Sequence, residues 1–201
     1  MWRKGCAPTT RPVIDAALRF LADEINGHLL KRTGSVLGQV EPGMLVDDKG
    51  HWVVPQDALR LTLFQVEEER TMREQLPERI TLGARELQLP PALKLNLVCV
   101  LAGRFQQYAQ AWRHLSLVMS FLHARPVFTP EESPGMPAGL GRLSLELANW
   151  TPEQMNQLWG TLGAKHLPSV IYRLRVVILQ DAEPAVAGAP ITTIQATLRG
   201  R

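Results

Sequence analysis

The sequence predicts an α+β fold: a mostly antiparallel, mixed sheet with flanking helices. Several segments alternate apolar and polar residues, and others repeat apolar residues at helical spacing. The alternating segments are polar on one side near their starts, which favours antiparallel pairing over a doubly wound parallel sheet. The 201 residues carry 22 Lys plus Arg against 19 Asp plus Glu and are 45% hydrophobic. That composition suits one soluble domain burying roughly 70% of the surface its unfolded chain exposes. We expect this domain at residues 1–180, with 181–201 as a C-terminal arm.

From Pro12, the residues Val13, Ala17, Leu18, Leu21, Ile25 and Leu29 recur at steps of three and four, and Lys31 and Arg32 precede Thr33-Gly34. This spacing predicts an amphipathic helix whose basic last turn complements the negative pole of its dipole. "SVLGQVE" and "HWVV" are short β-prone pieces divided by the turn-rich "PGMLVDDKG". In "ALRLTLFQVEEER", Leu59, Leu61 and Leu63 alternate with Arg60 and Thr62, giving a strand with one wet face. "PALKLNLVCVLAG" sets Leu93, Leu95, Leu97, Cys99 and Leu101 against Lys94 and Asn96, then turns its second side apolar at Val98 and Val100. A strand passing from the rim of a sheet to its centre has this pattern.

"RFQQYAQAWRHLSLVMSFLHAR" spaces Phe105, Tyr108, Trp112, Leu115, Met119 and Leu122 as the inner face of a helix, so Trp112 reads as core. "PVFTPEESPGMPAGLG" is too rich in Pro and Gly for regular structure and reads as an ordered, exposed loop. "RLSLELANW" alternates again as a strand. In "TPEQMNQLWGTLG", Thr151 is the N-cap, Pro152 opens the helix and Gln154 completes a capping box, while Gly163 ends it. After Pro168, "SVIYRLRVVIL" places Val170, Tyr172, Leu174, Val176 and Ile178 opposite Arg173 and Arg175, in what the sequence marks as the longest strand. The tail from Asp181 to "ITTIQATLRGR" allows at most one further strand.

Reactive chemistry has few candidates. No phosphate-binding Gly-rich loop precedes a helix, and Lys165 in "TLGAKH" follows one instead. The five histidines form no HExxH pair, and His114 and His123 are too far apart on one helix to share a metal. No serine sits in a G-x-S-x-G elbow, and Cys99 faces an apolar strand side where a thiolate is costly. The carboxylates of "EEER" could do acid and base work in a cleft, but neighbours in an extended segment point to alternate faces, as at a solvated strand end. No cofactor, metal site or catalytic residue is expected. Basic residues are scattered among acids, which excludes a phosphate-tracking face and hence nucleic acid as partner. Cys6 and Cys99 give no disulfide framework and suit a reducing compartment. "MWRKGCAPTT" is followed by no apolar core region, so no signal peptide is expected. The longest apolar runs fall short of the ~18 residues a membrane span needs.

"VIDAALRFLADEIN", "LTLFQVEEERTMRE", "LNLVCVLAGRFQQYAQAWRHLSLVMSFL", "PVFTPEESPGMP" and "LELANWTPEQMNQLWGTLGAKHLPSVIYRLRVVIL" occur in this order from Val13 to Leu179. Together they resemble the domain at the N-terminus of cap proteins of contractile injection systems of the antifeeding-prophage and virulence-cassette type. The resemblance implies an architecture similar to phage tail terminators. It also implies a structural role: a homohexameric ring on the end of the tube and sheath remote from the baseplate, ending tube growth and holding the last sheath ring. Its partners are then further copies of itself, the contractile sheath protein and the inner tube protein, with no nucleic acid and no membrane. It is expected to assemble in the cytoplasm into a phage-tail-like particle, with release of that particle from the cell left open. A baseplate or adaptor component of the same kind of particle is the alternative, and a small hydrolase with a dispersed site is a third reading. We place candidate contacts at Glu67, Glu68, Glu69 and Arg70, at Pro130 and Glu131 in the Pro-rich loop, and at Trp159, Lys165 and His166 around the last helix–strand corner. Most of these are polar side chains fixed by adjoining elements.

Overall fold

A computed structural model describes residues 13–69, 78–82, 85–89, 93–178 and 185–186. In chain order these form α1 (Val13–Thr33), β1 (Val40–Pro42), β2 (Ala58–Glu68), β3 (Glu78–Leu82), β4 (Arg85–Leu89), β5 (Leu93–Arg104), α2 (Tyr108–Ala124), β6 (Val127–Phe128), β7 (Leu140–Leu147), α3 (Pro152–Thr161), β8 (Ser169–Ile178) and β9 (Ala185–Val186). The larger sheet has the order β1-β2-β5-β8-β7-β6, antiparallel throughout except where β1 pairs with β2. β3, β4 and β9 form a second sheet. The expected α+β class is the one observed.

β5 lies inside the larger sheet, between β2 and β8. On one face, Leu97, Cys99 and Leu101 join a core cluster with Leu59 and Leu61 of β2, Tyr172, Leu174 and Val176 of β8, and the inner faces of α1 and α2. On the other, Val98, Val100 and Ala102 join a second cluster with Leu45, Val54, Ile171 and the α3 residues Leu158 and Trp159. All six β5 residues from Leu97 to Ala102 are buried, and each large aliphatic side chain contributes about 1.5–3 kcal/mol by leaving water. This explains the sequence change within the strand from alternating to continuously apolar.

Several expectations need correction. β5 has 12 residues and β2 has 11, so β8, with 10, is not the longest strand. "HWVV" supplies only an isolated bridge, Val46 with Trp52. The Pro-rich loop begins with the short strand β6, and the β3–β4 hairpin was not read from the sequence. Arg60 is not on a wet face: it is 8% exposed, and its guanidinium donates to Glu41 Oε2 and to the Val53 carbonyl, both at 3.2 Å. The 41–54 segment folds over it. α2 is rotated from its expected setting, burying Ala111, His114, Leu115, Val118 and Leu122 and leaving Trp112 36% exposed. Of the expected arm, the described residues are Ala185 and Val186, which pair with β4; "ITTIQATLRGR" lies outside them.

α3 has the capping box its sequence encodes: the Gln154 N–H donates to Thr151 Oγ1, and the Thr151 N–H donates to Gln154 Oε1. The helix gives way to Gly163 at φ 63°, and the chain then turns through Pro168, whose carbonyl accepts from the Gly103 N–H at 2.9 Å. Nothing lies within 4 Å of a Cβ built on Gly163, so its constraint is backbone conformation and not space. Gly163→Val is therefore expected to lower stability by about 1 kcal/mol or more. Gly163→Asn should lose less, because Asn tolerates positive φ. Urea unfolding of the two variants beside the parent chain checks the order.

Candidate functional site

The strand registers divide the expected contact residues into two groups at opposite ends of the larger sheet. At one end β2 and β8 finish while β5 and β7 begin, and this end carries Glu67, Glu68, Glu69 and the loop with Pro130 and Glu131. At the other, where Ser169 pairs with Ala102, lie Trp159, Lys165 and His166. No single site contains all of them. Arg70 lies outside the described residues.

Glu67 and Glu68 are exposed. Glu67 Oε1 accepts from Gln65 Nε2 at 2.8 Å, and Glu69 Oε2 accepts from Asn96 Nδ2 at 2.9 Å. The Glu69 N–H donates to the Lys94 carbonyl at 3.0 Å, so the β2–β5 ladder continues to the last acidic residue. The acidic strand end is therefore fixed to the sheet. The Pro-rich loop is fixed by Arg125, just past the end of α2. Its Nη1 donates to Glu24 Oε2 at 3.0 Å, its Nη2 donates to the Glu132 carbonyl at 3.0 Å and to Ser133 Oγ at 2.7 Å, and its guanidinium lies 4.6 Å over the Phe128 ring. Pro130 and Glu131 stand exposed on this anchored loop. Hydrogen bonds from its own backbone N–H and from the Thr129 hydroxyl hold the Glu131 carboxyl below the usual carboxylate range.

At the opposite end Lys165 and His166 are exposed, as expected. Trp159 is not: it is 5% exposed, packed edge-on to Trp52 and His166, so its ring belongs to the second core cluster and not to a contact surface. Local spacing carries no sign of this, because Trp52 lies far away along the chain.

Between the two ends, the sheet face that bears α3 is only partly covered. Beyond Val98 it turns polar: Asn96 lines up with Arg175 and Ser144, and Val98 with Arg173 and Glu146. A depression of about 480 Å³ opens there, lined in part by Lys94, Asn96, Arg142, Ser144 and Arg175. Arg173 Nε and Asn96 Oδ1 are buried without hydrogen-bond partners. The alternation of each strand marks these residues as outward, but only the register brings them into one strip.

Reactive groups among the described residues do not converge. Among the described residues no group of three or more His, Cys, Asp or Glu is placed to hold a metal ion. Burial pushes the Cys99 thiol up to about 12, which keeps it from acting as a nucleophile near neutral pH. Among the described residues no helix is long and apolar enough to cross a membrane.

The model of the Pvc16 N-terminal domain family matches residues 16–193. The chain belongs to that family. Two solved structures are similar to this Pvc16 N-terminal domain. One is the sheath/tube terminator, in its extended state, of the extracellular contractile injection system PVC, with 14% identity and a TM-score of 0.56 over 96% of this chain. The other is the tube-terminating cap of the anti-feeding prophage, with 14% identity and a TM-score of 0.54 over 88% of this chain. This chain spans 65% and 61% of the lengths of those two proteins. At this identity the likeness is one of fold. No curated protein matches the chain.

The buried thiol has a pH consequence. Below about pH 7.5 it is neutral in both folded and unfolded chains, because an unperturbed thiol titrates at about 8.5. Above that, the unfolded chain releases a proton that the folded chain keeps, so stability falls as pH rises toward 12. Tyr172, also pushed up to about 12 by burial, adds to the fall once pH passes about 10. In a Cys6→Ser background, a thiol reagent at pH 8 is expected to leave Cys99 unlabelled until denaturant unfolds the chain. Rapid labelling of the folded protein would contradict the buried placement.

Proposed function

We propose that the chain is a structural cap of a phage-tail-like contractile injection particle, forming a ring that ends the inner tube and holds the last sheath layer. The observation that carries this reading is a fold shared over 96% of the chain with a sheath/tube terminator, within a family match that covers most of the sequence. The surface supports it in kind. Loops are pre-ordered by Arg60 and Arg125, the acidic end of β2 is tied into the sheet, and the partly open polar face offers charge and hydrogen-bonding groups. A protein acting through shape needs such features and no reactive centre, and we read the chain as non-enzymatic. Its partners on this reading are further copies of itself in a homohexamer, the sheath protein and the inner tube protein. Assembly takes place in the cytoplasm.

Deleting the chain from a particle-forming system is expected to broaden the length distribution and remove its upper limit, as measured by electron microscopy. Unchanged lengths, together with absence of the chain from particle ends, would overturn the cap reading.

Contact residues can be tested separately. Glu67→Lys should leave the melting temperature within a few degrees of the parent, as an exposed substitution does, while lowering the yield of length-controlled particles. Lys165→Ala with His166→Ala should behave similarly if that corner faces tube or sheath. Normal termination by either variant removes its segment from the contact.

A further inference from the structure

The polar strip on the α3 face of the larger sheet is acidic toward β2 and basic toward β7 and β8. Alternation along β5, β7 and β8 puts Asn96, Arg142, Ser144, Arg173 and Arg175 on the face that Val98 and Ile171 share with α3. The registers set Arg142 beside Val177, Arg175 beside Ser144 and Arg173 beside Glu146. An arginine therefore stands at each of three successive two-residue steps, roughly 6.8 Å apart along the strands. The acids lie across the sheet, where Glu67 pairs with Asn96 and Glu69 continues the ladder. Arg142, Ser144 and Arg175 line one side of the depression of about 480 Å³, and Asn96 lines another part of its wall.

Several polar groups here are unmatched within the chain. Arg142 is exposed and has no ion pair or hydrogen bond among the described residues, and the Ser144 hydroxyl has none either. Arg175 holds Glu146 by one contact of 3.5 Å between side chains that are both more than half exposed, a pair that contributes little. Asn96 is the decisive member. Its Nδ2 donates to Glu69 Oε2 at 2.9 Å, and because an ionised carboxylate only accepts, Oδ1 is fixed as the acceptor end of the amide. That oxygen is buried with no donor among the described residues, a costly arrangement. The depression thus presents positively charged donors on the β7–β8 side and an unmet acceptor on β5.

We propose that this strip docks an extended acidic segment of a partner protein, with carboxylates on Arg142 and Arg175 and a backbone N–H on Asn96 Oδ1. Two observations select that occupant. An extended chain turns every second side chain to one side, so acids at alternate positions recur at the period of the arginines. A peptide also brings N–H donors with its carboxylates, whereas a phosphodiester offers acceptors only and leaves Asn96 Oδ1 unmet. Glu67, Glu69 and Glu146 on the same face further repel a dense polyanion such as a nucleic acid. The incoming carboxylate replaces Glu146 on Arg175, a small loss because that contact is long and exposed. Docking of an acidic segment does not rest on the cap reading; that the segment belongs to a subunit of the same particle does.

The test titrates the full chain with a short, end-blocked peptide of alternating Glu and Thr, and with the same peptide carrying Gln for Glu. The expected result is binding of the Glu peptide alone, weakening as salt is raised. Arg142→Glu with Arg175→Glu should lower the affinity about tenfold or more, because two attractions become repulsions. Equal binding of the two peptides, or an unchanged affinity in the double variant, overturns the proposal. So does inorganic phosphate or a single-stranded oligonucleotide that binds at the arginines more tightly than the Glu peptide. A double variant that loses the peptide yet ends particles at normal length supports the docking and removes it from particle assembly. Failure of the peptide to bind, with particle length still dependent on the chain, overturns the docking and leaves the cap reading intact. If the double variant does not fold, NMR of the unsubstituted chain decides. The guanidinium signals of Arg142 and Arg175 and the side-chain amide of Asn96 should shift together with the Glu peptide, and their standing still overturns the proposal.

Discussion

The rest of the structure depends on one constraint, that β5 is dry on both faces. From Leu97 to Ala102 its side chains enter two separate core clusters, one under α1 and α2 and one under α3. The backbone groups of this stretch are taken up by β2 on one side and β8 on the other, so none of them has to reach water. A strand in that position needs covers on both sides. α1 and α2 supply one, and α3 with Leu45 and Val54 supplies the other. Because the second cover is shorter, the polar ends of β5, β7 and β8 remain open beside it.

Three arginines convert this frame into a defined surface. Arg60 reaches out of the sheet to the Val53 carbonyl and to Glu41, and Arg104 donates to the Val54 carbonyl. Arg125 performs the same task for the Pro-rich loop. Each draws a loop onto the body with charge-assisted hydrogen bonds, which are stronger than neutral ones. A surface ordered in advance spares an assembly the entropy of ordering it on contact. That suits a protein whose features are matched shapes and charges in place of reactive groups.

The elements legible in the sequence were those specified by neighbours in the chain. The Thr151 capping box, the basic end of α1 and the change of pattern inside β5 are all short-range, and each stands where its spacing puts it. The failures are long-range. Tyr108 and Trp112 look more like core than Ala111 and His114, yet the helix buries the smaller set because Gly38 and Phe105 close on the His114 side. Arg60 reads as wet because nothing near it in sequence shows that residues 41–54 fold over it. Trp159 reads as surface because its partner Trp52 is remote. Among the candidate contacts, the acidic strand end, the Pro-rich loop and the Lys165–His166 corner stand exposed, but their division between two ends of the sheet, and the polar strip between them, came from register alone.

The place of β8 has a consequence for synthesis. It pairs with both β5 and β7 and brings Tyr172, Leu174 and Val176 to one cluster and Ile171 to the other. A ribosome releases the chain from its N-terminus, so α1, β2 and β5 emerge with their apolar faces formed while the strand that joins the two halves of the sheet is still unmade. Loops this long close slowly, and sheets built from distant strands expose unpaired edges in the meantime. Until residues 169–178 are out, β5 has a partner on one side only. The nascent chain is therefore most open to wrong pairing late in translation, and any slow stretch of message read before residues 169–178 have left the ribosome would prolong that exposure.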